Sequence, residues 1–371
     1  MDRSGFRPHP RPTPITLVAS LFSLLLVLPA DVTRAAEIPF DSPRWAFRAA
    51  EWRLEEHLGR PSLYLRDGFG WIDGLSLTDG TVEFDIAFTA ERGFAGAAFR
   101  MQDTNDYENF YLRPHQSGQP DANQYTPVFH GVAGWQLYHG AGYSAPTVYP
   151  YDTWIHVRIA FSGDRAEVYI DSQQPSVVIP ELKRERQAGT VGLTAFLADV
   201  HFSNFRYGDE VPVLRGTPEV VPEAPDGVVL SWQVSAPFAE KEMVGLTTLP
   251  EEFASTLEWR GLAAESTGIT NLARISSLSP ETNTVWVRWP QDVGSRQRVR
   301  FGYSDRVRVF CNGRLLYSGS NLYRSRDFRY LGTIGLFDEI RCPAENGRND
   351  VLFAVSESFG GWGILAVAFS E

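Results

Sequence analysis

The sequence predicts an all-β protein, a two-sheet sandwich followed by a second β-sandwich, and three observations carry that expectation. Short runs in which apolar and polar residues alternate recur along the chain, and alternation puts one parity on each face of a strand. Gly, Asp, Asn and Pro punctuate those runs at short intervals, as in sandwiches and jelly rolls. No long helical period stands out, and residues 181–186 make at most a turn.

Residues 1–36 read as a secretory signal. Arg3, Arg7 and Arg11 form a positive start, residues 15–28 an apolar core too short to span a bilayer comfortably, and Pro29 a break. Ala35 and Ala36 offer a cleavage site. The competing reading is a retained anchor helix. No Cys follows the apolar run, which disfavours a lipoprotein anchor, and no second run of spanning length occurs. The expected location is secreted or periplasmic, with no membrane contact once the signal is removed.

The 371 residues allow two domains. Hydrophobic residues at 43% supply real cores, and charged residues at 21% argue against disorder. The formal net charge is −11. Residues 1–36 hold four Arg and two Asp, so the remainder carries 30 basic and 43 acidic side chains. That balance, with no basic run to offset it, disfavours nucleic acid as a partner.

Taken in order, residues 37–52 read as an irregular leader strand along the first sandwich. Residues 62–65 and 71–77 read as separate strands because Gly68 and Gly70 lie between them. In residues 81–88, Val82, Phe84, Ile86 and Phe88 face inward and Glu83 and Asp85 outward. Residues 99–115 read as strand, tight turn and strand, with Thr104, Asn105 and Asp106 supplying the turn. Residues 125–130 and 134–139 give two further strands, and 154–161 with 165–170 a hairpin about Gly163 and Asp164. Residues 191–196 and 201–207 close the first sandwich.

Pro212, Pro218, Pro222 and Pro225 make residues 209–226 a semi-rigid linker by composition, or else a proline-rich surface loop of one continuous domain. In the second sandwich, residues 227–371, strands are expected at 228–234, 256–260, 272–275, 284–289, 296–303, 306–310, 314–317, 350–356 and 363–369. Cys311 and Cys342 are the only cysteines. They could pair in an oxidising compartment or stay as two buried thiols. Two Cys and seven scattered His form no transition-metal pattern.

Parity groups the candidate binding residues. Phe110 and Leu112 share one face, and Asn109, Tyr111, Arg113 and His115 the other. Arg100, Gln136 and Tyr138 are expected beside them, with Trp135, Tyr143 and Tyr149 as walls. Planar aromatics beside fork-shaped donors suit sugar rings and hydroxyls. The plainer reading is a solvated outer face. Asp106, Glu108 and His115 flank this face as candidate acids or bases, against ordinary roles as turn and rim residues. Asp103, Asn105 and Asp106 could hold calcium or simply make the turn. In the second half, Arg324, Arg326, Asp327, Glu357 and Trp362 form a candidate contact cluster, or an ordered loop tied by a pair such as Arg326 with Glu357.

Four segments, GTVEFDIAF (80–88), AFRMQD (98–103), WIHVRIAFSGDRAEVYID (154–171) and the ends of residues 189–207, resemble the concanavalin A-like lectin/glucanase superfamily in its laminin-G and 3-keto-disaccharide-hydrolase-like branch. The resemblance spans roughly residues 50–208. It implies a two-sheet sandwich, often with a glycan in the concave sheet. Laminarinase-type members carry E-x-D-x-x-E. Here Glu83 and Asp85 match, but the third position is Phe88, so that acid/base is missing. No G-x-S-x-G elbow occurs. VRVFCNGRLLYSG (307–319), NLYRSRDFRY (321–330) and VLFAVSESFGGWG (351–363) resemble galactose-binding-like jelly rolls. The expected role is an exported, non-catalytic carbohydrate-binding or accessory protein in polysaccharide use, with a glycan partner and no cofactor, calcium being the exception left open. Its rivals are a glycoside hydrolase of the 3-keto-disaccharide type and a structural or adhesive surface protein.

Overall fold

Residues 45–72 build one long hairpin where the glycines suggested a break. In the computed structural model, which describes residue 1 and residues 35–219, 224–288, 297–326, 331–342 and 350–370, the first half contains β1 (Ala36–Glu37), β2 (Trp45–His57), β3 (Arg60–Ile72), β4 (Gly80–Ala87), β5 (Phe94–Asp103), β6 (Asp106–Leu112), β7 (Asn123–Phe129), β8 (Val132–Ala133), β9 (Ile155–Ser162), β10 (Arg165–Ile170), β11 (Val177–Ile179), β12 (Thr190–Phe196) and β13 (Val200–Gly208). The expected signal at residues 1–36 lies outside the described residues, except for its ends. No helix among the described residues is long and apolar enough to cross a membrane.

β2 pairs with β3 along its whole length. On its other edge β3 pairs first with β13, through Leu63–Leu65, and then with β12, through residues 68–71. One strand therefore belongs to both layers. The order β11-β10-β9-β4-β13-β3 runs on one side and β3-β12-β5-β6-β7-β8 on the other. A side chain at residue 68 would run into the backbone of Arg48 and Ala49, so Gly68 permits the close strand approach rather than ending the strand. Val82, Phe84 and Ile86 of β4 meet Ala97, Phe99, Phe110 and Leu112 of β5 and β6 between the layers, all without solvent exposure. Truncating either Phe84 or Phe110 to Ala would cost about 3–5 kcal/mol.

The second half contains β14 (Ser231–Val234), β15 (Arg260–Ala263), β16 (Thr270–Asn271), β17 (Thr284–Arg288), β18 (Gln297–Ser304), β19 (Arg306–Cys311), β20 (Arg314–Ser320), β21 (Asp338–Cys342), β22 (Val351–Ser356) and β23 (Gly363–Ser370). They form a sheet ordered β15-β14-β17-β22-β19-β20 and a sheet ordered β16-β23-β18-β21. The strands expected at 256–260 and 272–275 are instead short turns, Phe253–Thr256 and Leu272–Arg274, with β15 starting only at Arg260. Trp232, Phe301, Phe353 and Trp362 fill the space between the sheets. Cys311 and Cys342 are joined by a disulfide that links β19 in one sheet to β21 in the other, Cα atoms 5.9 Å apart.

Ala35–Glu371 form one compact unit, because the two sandwiches share a substantial junction. Leu137, Ile334 and Leu365 belong to the first core. Around them, Tyr138 Oη donates to Glu265 Oε1 at 2.5 Å, and Lys183 Nζ lies 2.8 Å from Glu265 Oε2. Gln136 donates to the Leu331 carbonyl and accepts from Ser304 Oγ, each at 2.9 Å. The proline-rich segment after β13 lies against β10: Gly216 N donates to Glu167 Oε1 at 2.5 Å.

Candidate functional site

Strand register places small residues in the middle of the β12-β5-β6-β7 outer face. Phe69, Thr194, Gly96, Tyr111 and Gln124 stand in one cross-strand row, and Trp71, Gly192, Ala98, Asn109 and Thr126 in the next. Side chains alternate faces along each strand, so the larger residues flank a floor lowered at Gly96, Ala98 and Gly192. A groove of about 660 Å³ opens over this face at the edge of the junction. Tyr107, Asn109, Tyr111, Arg113 and His115 line it, with Thr194 and Phe196 from β12. Tyr323, Ser358, Phe359 and Gly360 of the second sandwich form the far wall.

The floor is rigidly braced. Arg113 donates through Nη1 to Asp121 Oδ2 at 2.8 Å and through Nη2 to Tyr111 Oη at 3.2 Å and to Gln124 Oε1. Tyr111 Oη also donates to Gln124 Oε1 at 3.0 Å, and Gln124 Nε2 donates to the Trp135 carbonyl at 2.8 Å. Burial pushes the Tyr111 phenol up, so it stays a neutral donor. Asn109 Oδ1, Thr194 Oγ1 and Arg113 Nε are buried without a hydrogen-bond partner. Such groups are expensive to leave unmet inside a protein, and these three all belong to groove-lining residues.

His115 sits on the short turn Pro114–Gln116. Its Nδ1 accepts from Gly93 N at 3.4 Å, which leaves the proton of the neutral ring on Nε2. Burial, then the positive charges of Arg92 and Arg113, hold its pKa below the ordinary imidazole value. Trp135 forms the wall where the sandwiches meet, its ring 5.8 Å from Phe359 and 6.2 Å from Tyr323.

Several expected site residues lie elsewhere. Arg100 has φ +47°, and register shifts between Phe99 and Asp103. This bulge reverses parity. Arg100 therefore leaves the groove face and donates to the Thr78 and Gly163 carbonyls at 2.7 and 2.6 Å, while Met101 takes the other side with Tyr107. Residues 135–138 form a tight turn, not a strand. Alternation fails there, and it sends Trp135 to the groove but Gln136 and Tyr138 into the junction. Tyr143 and Tyr149 are buried in the first core rather than walling the groove.

Of the candidate acids and bases, only His115 reaches the groove. Glu108 shares the parity of Phe110 and is completely buried, accepting from Tyr125 Oη at 2.7 Å and Arg184 N at 3.0 Å. Burial raises its pKa. Asp106 pairs with Arg184 Nη1 at 2.9 Å. In the proposed calcium turn, Asp103 Oδ1 accepts from Asn105 N at 2.7 Å. No group of three or more His, Cys, Asp or Glu that could hold a metal ion occurs among the described residues. Glu83 pairs with Arg158, and Asp85 with Arg60 and His156.

In the second half, Arg326 pairs with Asp338, not with Glu357. Arg324 is exposed, its guanidinium 4.9 Å from the Tyr323 ring centroid. Trp362 is fully buried and donates to the Val355 carbonyl at 3.0 Å, so it offers no surface contact. Glu357 is buried beside Asp305, and Asp327 lies outside the described residues. Glu357 Oε1 accepts from Phe359 N at 2.6 Å, and Asp305 Oδ2 from Ser358 N and Phe359 N at 2.9 and 3.1 Å. These carboxyls shape the groove's far wall from behind.

Sequence reasoning missed Thr194, Phe196, Phe94 and Phe359. The first two stand at alternate positions of one predicted strand, but only the strand order brings them to the same groove as Asn109 and Tyr111, across β5.

No protein-family model matches the chain, and no curated protein matches it. Among solved structures, a family 66 carbohydrate-binding module from Bacillus subtilis is 17% identical, covering 44% of this chain and 95% of its own, with a TM-score of 0.34. A Bacillus subtilis protein of unknown function with a galectin-like fold is 10% identical, covering 47% and 96%, with a TM-score of 0.33. Domain 4 of an extracellular GH43 arabinanase from Geobacillus stearothermophilus, solved with arabinotriose, is 10% identical, covering 44% and 82%, with a TM-score of 0.29.

Proposed function

We propose that this is an exported carbohydrate-binding or accessory protein of extracytoplasmic polysaccharide use, and that it holds a glycan in the groove of its first sandwich. In this reading residues 1–36 are a cleaved signal, residues 37–208 and 227–371 are the two sandwiches, and the mature chain is secreted or periplasmic. One observation carries the binding role. Asn109, Thr194 and Arg113, each with one buried polar atom that lacks a partner, line a groove together with Tyr107, Tyr111, Trp135 and Phe359. Sugars present hydroxyls around an apolar ring face. A sugar would stack on those rings and, as the three side chains turn toward it, supply the partners those atoms lack.

Non-catalytic binding is the reading we favour over glycoside hydrolysis. Glu108 is sealed in the core and Asp106 is held by Arg184, which leaves His115 without either candidate carboxyl in the groove. A glycan array tests the proposal, with Asn109→Ala as the control for the site. Binding that the substitution removes supports it. An intact protein that binds no oligosaccharide refutes it and favours an adhesive role. Turnover of 3-keto-glycosides, lost in His115→Ala, would make the protein an enzyme instead.

A further inference from the structure

Three basic side chains converge on one ring of the groove. The Arg92 guanidinium carbon lies 6.0 Å and that of Arg113 5.7 Å from the Phe94 ring centroid, and the His115 ring centroid is 5.5 Å from it. All four residues line the groove. They come from the start of β5 and the residues just before it, and from the chain just after β6, strands that lie side by side.

The charges at this end are unevenly matched. Asp121 is occupied by Arg113 at 2.8 Å. Asp67, the other groove carboxylate, accepts from Leu197 N at 2.8 Å. Arg92 is exposed and has no hydrogen-bond or ion-pair partner among the described residues. Arg113 keeps its buried Nε unmet. One guanidinium is therefore free, a second has a spare donor, and the His115 Nε2–H adds a third. In a chain of net charge −11, this is a local excess of positive charge and donors whose one acceptor, His115 Nδ1, is taken by Gly93 N.

Resting on the glycan-binding reading, we propose that the groove selects an acidic saccharide, and that Arg92, Arg113 and His115 receive its anionic substituent beside Phe94. A carboxylate or sulfate offers two or three oxygens that share a negative charge to several cationic donors at once, whereas a neutral hydroxyl offers one uncharged oxygen. The apolar face of the same sugar would rest on the Phe94 and Tyr111 rings.

Calorimetric titration of the full chain tests this with three probes: oligogalacturonate, its methyl ester of the same length, and a sulfated galactan oligosaccharide. The expected result is binding of a charged probe about tenfold or more tighter than the ester, with that preference lost in Arg92→Gln. Arg92 is exposed, so the variant should keep the parent's unfolding temperature. The better of the two charged probes identifies the substituent as carboxylate or sulfate. If neutral glycans on an array bind as well as the charged probes and Arg92→Gln changes nothing, the inference is overturned while glycan binding stands. Failure of every glycan overturns both.

Discussion

Trp135 and Tyr323, one from each sandwich, stand with ring centroids 6.2 Å apart and ring planes at 79°. The groove therefore has a wall that neither half supplies alone. Tyr323→Ala, in the second half, should weaken glycan binding by about tenfold, as loss of a well-placed aromatic at a binding site does. Titration of the variant against any array hit checks this. Unchanged affinity would mean that the far wall does not touch the ligand.

Thr194→Val should separate stability from function. Its hydroxyl is buried and unpartnered, so an isosteric apolar replacement removes a desolvation penalty of about 1 kcal/mol or more. The variant should unfold at a higher temperature yet bind glycan more weakly. A variant that lost both would place the hydroxyl in a structural bond instead.

Tyr111 and Arg113 are poor sites for a clean test, although the sequence singled them out. Both are locked to Gln124. Arg113→Ala should lower stability by about 2 kcal/mol as well as affinity, because it leaves Asp121 and Gln124 short of a donor. Denaturant titration measures the first effect and calorimetry the second. A stability within about 0.5 kcal/mol of the parent would show that the brace is idle.

Stability should fall as the pH rises through the titration of Glu357 and Asp305. Burial raises both carboxyls, and for Glu357 the neighbouring Asp305 charge adds to it. A raised folded-state pKa means that the native chain holds a proton which the unfolded chain releases. The contribution is whole below the ordinary values, 4.5 for Glu357 and 3.8 for Asp305, and drains away as pH climbs through the raised ones. Glu357→Gln keeps the shape without the charge and should flatten the alkaline side of the curve. A parallel pH profile in parent and variant would contradict this.

Lys183→Met should destabilise the whole chain by about 3–5 kcal/mol, the usual result of stripping one partner from a buried ion pair. The Lys183 side chain is 3% exposed and the Glu265 side chain 12%. Chemical denaturation measures the loss. A loss below about 1 kcal/mol would show that the pair contributes little to the junction.

Strand identity was largely legible from alternation, as in residues 81–88 and 106–112, because one face of each must be apolar. Side-chain direction was legible only where the strand ran unbroken. At Arg100 a single left-handed residue reversed it, and at residues 135–138 a turn abolished it. Glu108 was legible in principle, since its parity is that of Phe110. The alignment of Thr194 with Tyr111 across Gly96 was not, because positions far apart in sequence leave no local pattern. Nor was the far wall, since nothing in residues 357–361 announces the Trp135 they will meet.

The placing of Lys183 against Glu265 bears on how such a chain could be recombined over generations. A crossover in the proline-rich stretch would separate two pieces that each look like a complete module. The recipient of the first would inherit an open shelf without its far wall, and a Lys183 left with Glu181 as its one carboxylate. Any selectivity of the proposed groove would be a property of the pairing, and would travel only when both pieces travel together.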